Sequence, residues 1–174
     1  MIAKDRYTRA MDHVYVACIA LSGAALVVIT LIIPLGVFMR YVMNSPLSWP
    51  EPAAVSLIVM FSFIGGAAVY RANVHIAVEA LLNTVSPQVR RFMLWGVNAS
   101  MGLTATFMLV YGVHLCRITW FQTVAEFPGV RQSFIYLPIP VAGMLTLLFL
   151  FERMWVGHPS KDSVMFSDQP AALD

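Results

Sequence analysis

The stretch that decides the fold runs from residue 40 to residue 79 and reads RYVMNSPLSWPEPAAVSLIVMFSFIGGAAVYRANVHIAVE. Its middle, residues 53–70, is an apolar run without a charged residue. Charged and aromatic residues flank this run on both sides: Arg40, Tyr41, Trp49 and Glu51 before it, and Arg71, His75 and Glu79 after it. An uncharged run with polar and aromatic anchors at both ends predicts a helix that crosses a membrane.

The composition of the whole chain agrees with a membrane protein. Of its 174 residues, 59% are hydrophobic and 11% are charged, whereas a soluble domain carries about 25% charged residues. The net charge of +2 is too small to indicate a nucleic-acid partner. Cys18 and Cys116 are isolated, so they predict buried apolar thiols and no redox or metal motif.

Three more apolar runs have the length of a membrane span. We expect spans at about residues 14–39, 53–70, 92–115 and 133–151, an amphipathic helix lying in the interface at about residues 74–85, and a polar tail at residues 152–174. The first run is too long for the apolar core of a signal peptide. The predicted fold is therefore an all-α integral membrane protein, a single four-span helix bundle over residues 1–174.

The basic residues predict the orientation in the membrane. Eight of the eleven Lys and Arg residues fall on the side of the chain termini and three fall on the other side. By the positive-inside rule both termini face the cytoplasm and the two connecting loops face outward. We therefore expect a multi-pass membrane protein whose connecting loops face the periplasm if the cell has one.

Small residues predict where helices pack closely. Ser62, Gly65 and Gly66 end the second span, and Gly96, Ser100 and Thr104 form a ladder of four-residue spacing in the third span. Such surfaces let helix backbones approach closely in lipid. For the Ser62–Gly66 pair, packing inside this chain and packing against another subunit both remain open.

The predicted spans contain no Asp, Glu, Lys or Arg. Ion coupling, proton relays and charged-substrate sites usually need such residues inside the membrane. Arg71, His75 and Glu79 are spaced by four residues, so on one helix they share a face, either as solvated charges or as a contact with something outside that helix. We therefore expect a helper subunit and no enzyme, with two alternatives: a membrane anchor or cytochrome-type subunit of a redox complex, or an independent homo-oligomeric exporter.

The order of these features resembles the DctQ-like small membrane subunit, or Q subunit, of tripartite ATP-independent periplasmic (TRAP) transporters. In that family an Arg-aromatic pair closes the first span and a Trp with acidic residues opens the second. Small residues then end the second span, and a His-Ile followed by an acidic residue marks an amphipathic helix. The matching positions are, in order, Arg40-Tyr41, Trp49 with Glu51, Gly65-Gly66, and His75-Ile76 with Glu79. Pro52 stands where a second acidic residue is expected.

The resemblance implies a division of labour. A large multi-span permease subunit would hold the sodium ions and the substrate and move in elevator fashion, and a periplasmic binding protein would deliver a small organic acid. This chain would enlarge the fixed scaffold of that symport system and hold no cofactor, metal or substrate. This chain would contact membrane lipids, the large permease subunit and the binding protein. The candidate residues for subunit contact or anchoring in the membrane are Arg40, Trp49, Glu51, Ser62, Gly65, Gly66, Arg71, His75 and Glu79. The candidate residues for docking on the periplasmic side are Arg117, Trp120, Glu126 and Arg131.

Overall fold

A computed structural model describes residues 2–72 and 86–155. These residues contain four long helices: α1 (Ile2–Tyr41), α2 (Pro50–Ala72), α3 (Pro87–Ile118) and α5 (Pro138–Trp155). Each of these helices is long and apolar enough to cross a membrane. The short helix α4 (Gln132–Tyr136) directly precedes α5 and belongs to the same apolar span. The predicted fold, a four-span helical membrane protein, is therefore confirmed. The amphipathic helix predicted at residues 74–85 lies outside the described residues.

The connection between α3 and α5 holds the only strands of the described chain. After a 3₁₀ turn at Thr119–Phe121, strand β1 (Thr123–Val124) pairs antiparallel with strand β2 (Phe127–Arg131). The sequence predicted only a polar, aromatic connector at residues 117–132. A hairpin forms because antiparallel pairing satisfies backbone groups within the connector itself, and the Gln132 amide adds a bond to the Gln122 carbonyl at 2.9 Å.

The four long helices pack as a row in the order α1, α2, α5, α3. In the described part of the chain, α3 packs substantially on α5 but not on α1 or α2. The shared core lies where α1, α2 and α5 meet, around Tyr15, Cys18, Ile64, Ala67 and Phe149. Cys18 and Cys116 are both free thiols, and Cys18 is buried in this core. A row leaves two broad helix faces and two edge helices, α1 and α3, for contacts outside the chain.

Glycine allows α3 and α5 to approach closely. A Cβ atom added to Gly143 of α5 would lie 2.8 Å from the Ala105 carbonyl oxygen of α3, and one added to Gly112 would lie 2.9 Å from the Pro140 nitrogen. Real Cβ atoms do not approach backbone atoms so closely, so both positions require glycine. The α3–α5 contact is therefore set by small residues that the sequence analysis did not single out.

Two helices extend beyond the predicted spans at the end of the row that holds Ile2 and Trp155, here called the terminal end. Helix α1 begins at Ile2, before the predicted start of the first span near residue 14, and α5 continues to Trp155, beyond the predicted end of the fourth span at residue 151. Both helices continue because their polar side chains find partners across the row. The Lys4 ammonium donates to the Trp155 carbonyl at 3.1 Å, and the Tyr7 hydroxyl donates to the Leu148 carbonyl at 3.2 Å.

Candidate subunit-contact sites and an internal charge cluster

Three ionisable side chains from three helices meet at the terminal end of the row. The Arg71 Nε and Nη2 of α2 donate to the two carboxylate oxygens of Glu152 in α5, each at 2.8 Å. The same Nη2 donates to Asp12 Oδ1 of α1, also at 2.8 Å. The bidentate geometry suits the planar guanidinium, whose fork matches a carboxylate. This charge cluster (Asp12, Arg71 and Glu152) thus ties α1, α2 and α5 together.

The charge cluster is shielded from solvent. The side chains of Arg71 and Glu152 are 2% and 4% exposed, and that of Asp12 is 17% exposed. The guanidinium lies between the rings of Tyr15 and Phe149, with its carbon 5.4 Å and 5.5 Å from the two ring centroids. Cation–π attraction therefore adds to the ion pairs. Because each charge has an opposite partner, the cluster can lie at the end of a membrane span without an isolated buried charge.

This cluster was not predicted from the sequence. The spacing of Arg71, His75 and Glu79 predicted a shared helix face, and the predicted spans contain no charged residue. The described helices extend beyond those spans, and the Arg71 side chain is occupied within the chain, so solvated interfacial charge is the wrong interpretation for Arg71. His75 and Glu79 lie outside the described residues. Asp12 and Glu152 each lie one or two residues beyond a predicted apolar run, which was the available signal, but their pairing was not visible.

A second ion pair lies at the opposite end of the row, here called the hairpin end. The Arg40 guanidinium at the end of α1 contacts the Glu51 carboxylate in the first turn of α2 at 2.9 Å. The two side chains are 49% and 75% exposed, so solvent weakens the pair. Trp49, just before α2, is half-buried. The structure thus brings Arg40 and Glu51 together and leaves much of both side chains accessible to a partner.

The small residues of α2 divide between two surfaces. A Cβ atom on Gly65 would lie 3.3 Å from the Ser22 hydroxyl of α1, so Gly65 serves the α1–α2 contact. Gly66 has open space at the same position, and Ser62 is exposed. Packing inside the chain therefore accounts for Gly65 but not for the Ser62–Gly66 pair, which faces outward.

The loop residues predicted to contact a periplasmic protein lie around the hairpin. The Arg131 guanidinium stacks over the Trp120 ring, 4.5 Å from its centroid. Arg117 and Glu126 are exposed, and the nearby Phe121 side chain is 90% exposed. Arg131 and Trp120 therefore form one local unit, and Arg117 lines a shallow pocket together with Trp120.

Within residues 2–72 and 86–155, no group of three or more His, Cys, Asp or Glu side chains is placed so that it could bind a metal ion. The remaining chemistry is that of ion pairs, aromatic contacts and helix packing. These are the means by which membrane subunits assemble.

Comparison with known proteins gives the family. Residues 29–158 match the model of the DctQ component of tripartite ATP-independent periplasmic transporters. The chain is 23% identical over 129 residues to a protein assigned as a TRAP transporter small permease in Haemophilus influenzae strain Rd; the match covers 74% of this chain and 80% of that protein.

The chain is also 24% identical over 145 residues to the sialic acid TRAP transporter permease protein SiaT of H. influenzae strain 86-028NP. That match covers 83% of this chain but only 23% of SiaT, so SiaT carries a similar segment within a much longer permease. A small subunit of this kind acts with a larger TRAP permease subunit. The family match of this chain agrees with its four apolar helices and with the order of motifs along its sequence. The chain therefore belongs to the DctQ family of TRAP transporter small subunits.

Proposed function

We propose that this chain is the scaffold small subunit of a sodium-driven TRAP transporter that takes up a small organic acid, a carboxylate or a sulfonate. It lies in the bacterial inner membrane with its terminal end in the cytoplasm and its hairpin end in the periplasm. The large permease subunit holds the sodium and substrate sites and moves as an elevator, while this chain stays fixed beside it. The periplasmic binding protein docks at the hairpin end, and lipids cover the remaining apolar surface.

The row of helices is the observation that carries this proposal. Because α3 packs on α5 and not substantially on α1 or α2 in the described residues, the helices form a row and do not close into a ring around a solute path. The buried charges that would otherwise suggest ion coupling bind one another in the charge cluster. A row of helices whose buried charged side chains bind one another suits a static support better than a moving carrier.

Reconstitution tests the proposal. Liposomes would contain the large permease subunit with or without this chain, with the binding protein and a labelled acid outside. Sialic acid is the first acid to test because SiaT is named for it. We expect uptake only with both membrane subunits and an inward sodium gradient, and none when choline replaces sodium. Substrate movement by this chain alone would instead favour the independent exporter, and full uptake without it would refute a scaffold role.

The orientation has its own test. A green fluorescent protein fused after residue 174 is expected to fluoresce, because it folds in the cytoplasm and not after export through the general secretory route. Alkaline phosphatase at the same position is expected to be inactive. The opposite pair of results would place the terminal end in the periplasm and move the binding-protein contact away from the hairpin.

A further inference from the structure

We propose that one face of α3 is the surface on which this chain meets a membrane helix of the large permease subunit. This ladder face consists of Gly96, Ser100, Thr104, Phe107 and Tyr111. Successive positions three and four residues apart lie on one side of a helix. All five residues are exposed, whereas Gly102, Ala105 and Gly112 on the other side of α3 contact or closely face α5. The inference rests on the proposed function, since it names the surface used by that partnership.

The polarity of α3 does not match its exposure. Its most apolar window has a mean hydropathy of 1.4, the lowest of the four spans, against 2.8 for α1. The same window of α3 is only 11% buried within the chain, against 22% for α1. A helix surrounded by lipid should be the most apolar one, because hydrocarbon offers polar groups no partner. The least apolar helix is instead the most exposed, which points to a protein cover for α3.

Two hydroxyl groups on the ladder face differ from other hydroxyl groups of the described helices. Thr30, Ser56, Thr106 and Thr119 each donate to the carbonyl four residues earlier in the chain, at 2.7–2.9 Å. Ser100 and Thr104 have no hydrogen-bond partner in the part of the chain that the structure describes. Hydroxyl groups of this kind form hydrogen bonds across helix–helix contacts in membranes. Both hydroxyls lie on the ladder face.

The shape of the ladder face also suits a contact with another helix. The Phe107 and Tyr111 rings contact each other with their centroids 4.4 Å apart. Together with Leu103, Thr104 and Val110 they line an open groove along α3. A Cβ atom on Gly96 would meet nothing within 4 Å, so the small residues leave room for an approaching backbone. Ridges that pack into grooves, with small residues at the contact, are how helices associate in lipid.

The occupant that fits is a helix of the large permease subunit. The α1 edge of the row is rich in exposed aliphatic side chains such as Val27 and Leu31, which suit lipid. In SiaT a segment similar to this chain shares one polypeptide with a much longer permease, which favours an unlike neighbour over a second copy of this chain.

Photo-crosslinking tests the surface directly. Benzoylphenylalanine would replace Thr104, with Leu31 on α1 as the matched control because it is also exposed. In membranes that contain both subunits, we expect a crosslink from position 104 to the large permease subunit, identified by mass spectrometry, and only lipid adducts from position 31. Adducts from position 104 to lipid alone, or to a second copy of this chain, would overturn the proposal.

A paired substitution separates failure of this inference from failure of the proposed function. Ser100→Trp fills the ladder face, and Val27→Trp places the same ring on the α1 edge. At matched abundance we expect Ser100→Trp to reduce the co-purified large subunit at least tenfold and Val27→Trp to leave it unchanged. Equal recovery with both variants would reject the ladder face while the partnership stands. Failure of the wild-type chain to co-purify with the large subunit would reject both.

Discussion

Arg71 binds both carboxylate oxygens of Glu152 at 2.8 Å, although 81 residues separate them in the sequence. The same guanidinium reaches Asp12, 59 residues away in the other direction. Apart from a short contact at the terminal end, α1 and α5 do not pack on each other in the described residues. Arg71 of α2 therefore links α1 and α5, the helices on either side of it in the row, in addition to the hydrogen bonds from Lys4 and Tyr7 of α1 to carbonyl groups of α5.

Loss of one member of the charge cluster is expected to destabilise the chain strongly. Arg71→Met leaves two carboxylates close together without a cation, and breaking a buried ion pair of this kind costs about 3–5 kcal/mol. We expect a large fall in the thermal unfolding midpoint in detergent and low abundance in membranes. Arg40→Gln is the control, because its ion pair with Glu51 is exposed and the expected change is below about 1 kcal/mol.

The triple variant Asp12→Leu, Arg71→Met, Glu152→Leu distinguishes a structural cluster from a functional one. Replacing all members of a buried ion cluster by apolar residues is often neutral or stabilising. We expect the triple variant to regain wild-type abundance, co-purification with the large subunit and uptake. A variant that is abundant and assembled but inactive would show that these charges take part in transport.

The ion pair at the hairpin end is expected to affect assembly more than stability. Glu51→Lys reverses a charge that faces Arg40 and is largely exposed, and Trp49→Ala removes a half-buried ring beside it. We expect both variants to insert at normal levels but to support weaker uptake with the large subunit. Uptake at the wild-type rate by both variants, at equal abundance, would argue against a subunit contact at this end.

The close approach of α3 and α5 predicts a strong difference between glycines. Gly143→Ala places a methyl group 2.8 Å from the Ala105 carbonyl oxygen, and overpacking of this kind costs about 1–3 kcal/mol. Gly66→Ala adds the same group where nothing lies within 4 Å. We expect a lower unfolding midpoint for Gly143→Ala only. Equal midpoints would mean that the two helices separate easily.

Docking of the periplasmic binding protein is expected to depend on the loop charges. Arg117 and Glu126 are exposed near the hairpin, and interactions between such charges weaken as salt shortens the screening length to about 3 Å at 1 M. We expect Arg117→Gln to reduce binding at low salt and to flatten its salt dependence. Arg131→Lys serves as a comparison because it keeps the charge while weakening the stacking on Trp120. Docking that does not respond to salt would exclude this role.

The helices of this protein were predictable because each is a long apolar run, and a bilayer demands such runs whatever the rest of the chain does. The helices extend further than the predicted spans. Residues 2–13 and Glu152 were assigned to polar flanks, since charged residues ordinarily lie outside a span. They belong to helices because Lys4, Tyr7 and Glu152 find partners on other helices, which no local pattern reveals.

The candidate contact residues illustrate the same division. The number of spans, the family motifs around Arg40 and Trp49, and the small residues late in the second span could all be read from the sequence. The packing of Gly65 inside the chain, the outward position of Gly66 and the binding of Arg71 to Asp12 and Glu152 became visible only in the folded chain. Hydropathy is a property of consecutive residues, whereas ion pairs and helix contacts depend on which helices become neighbours. That order, α1, α2, α5, α3, is set by side-chain packing across the whole chain.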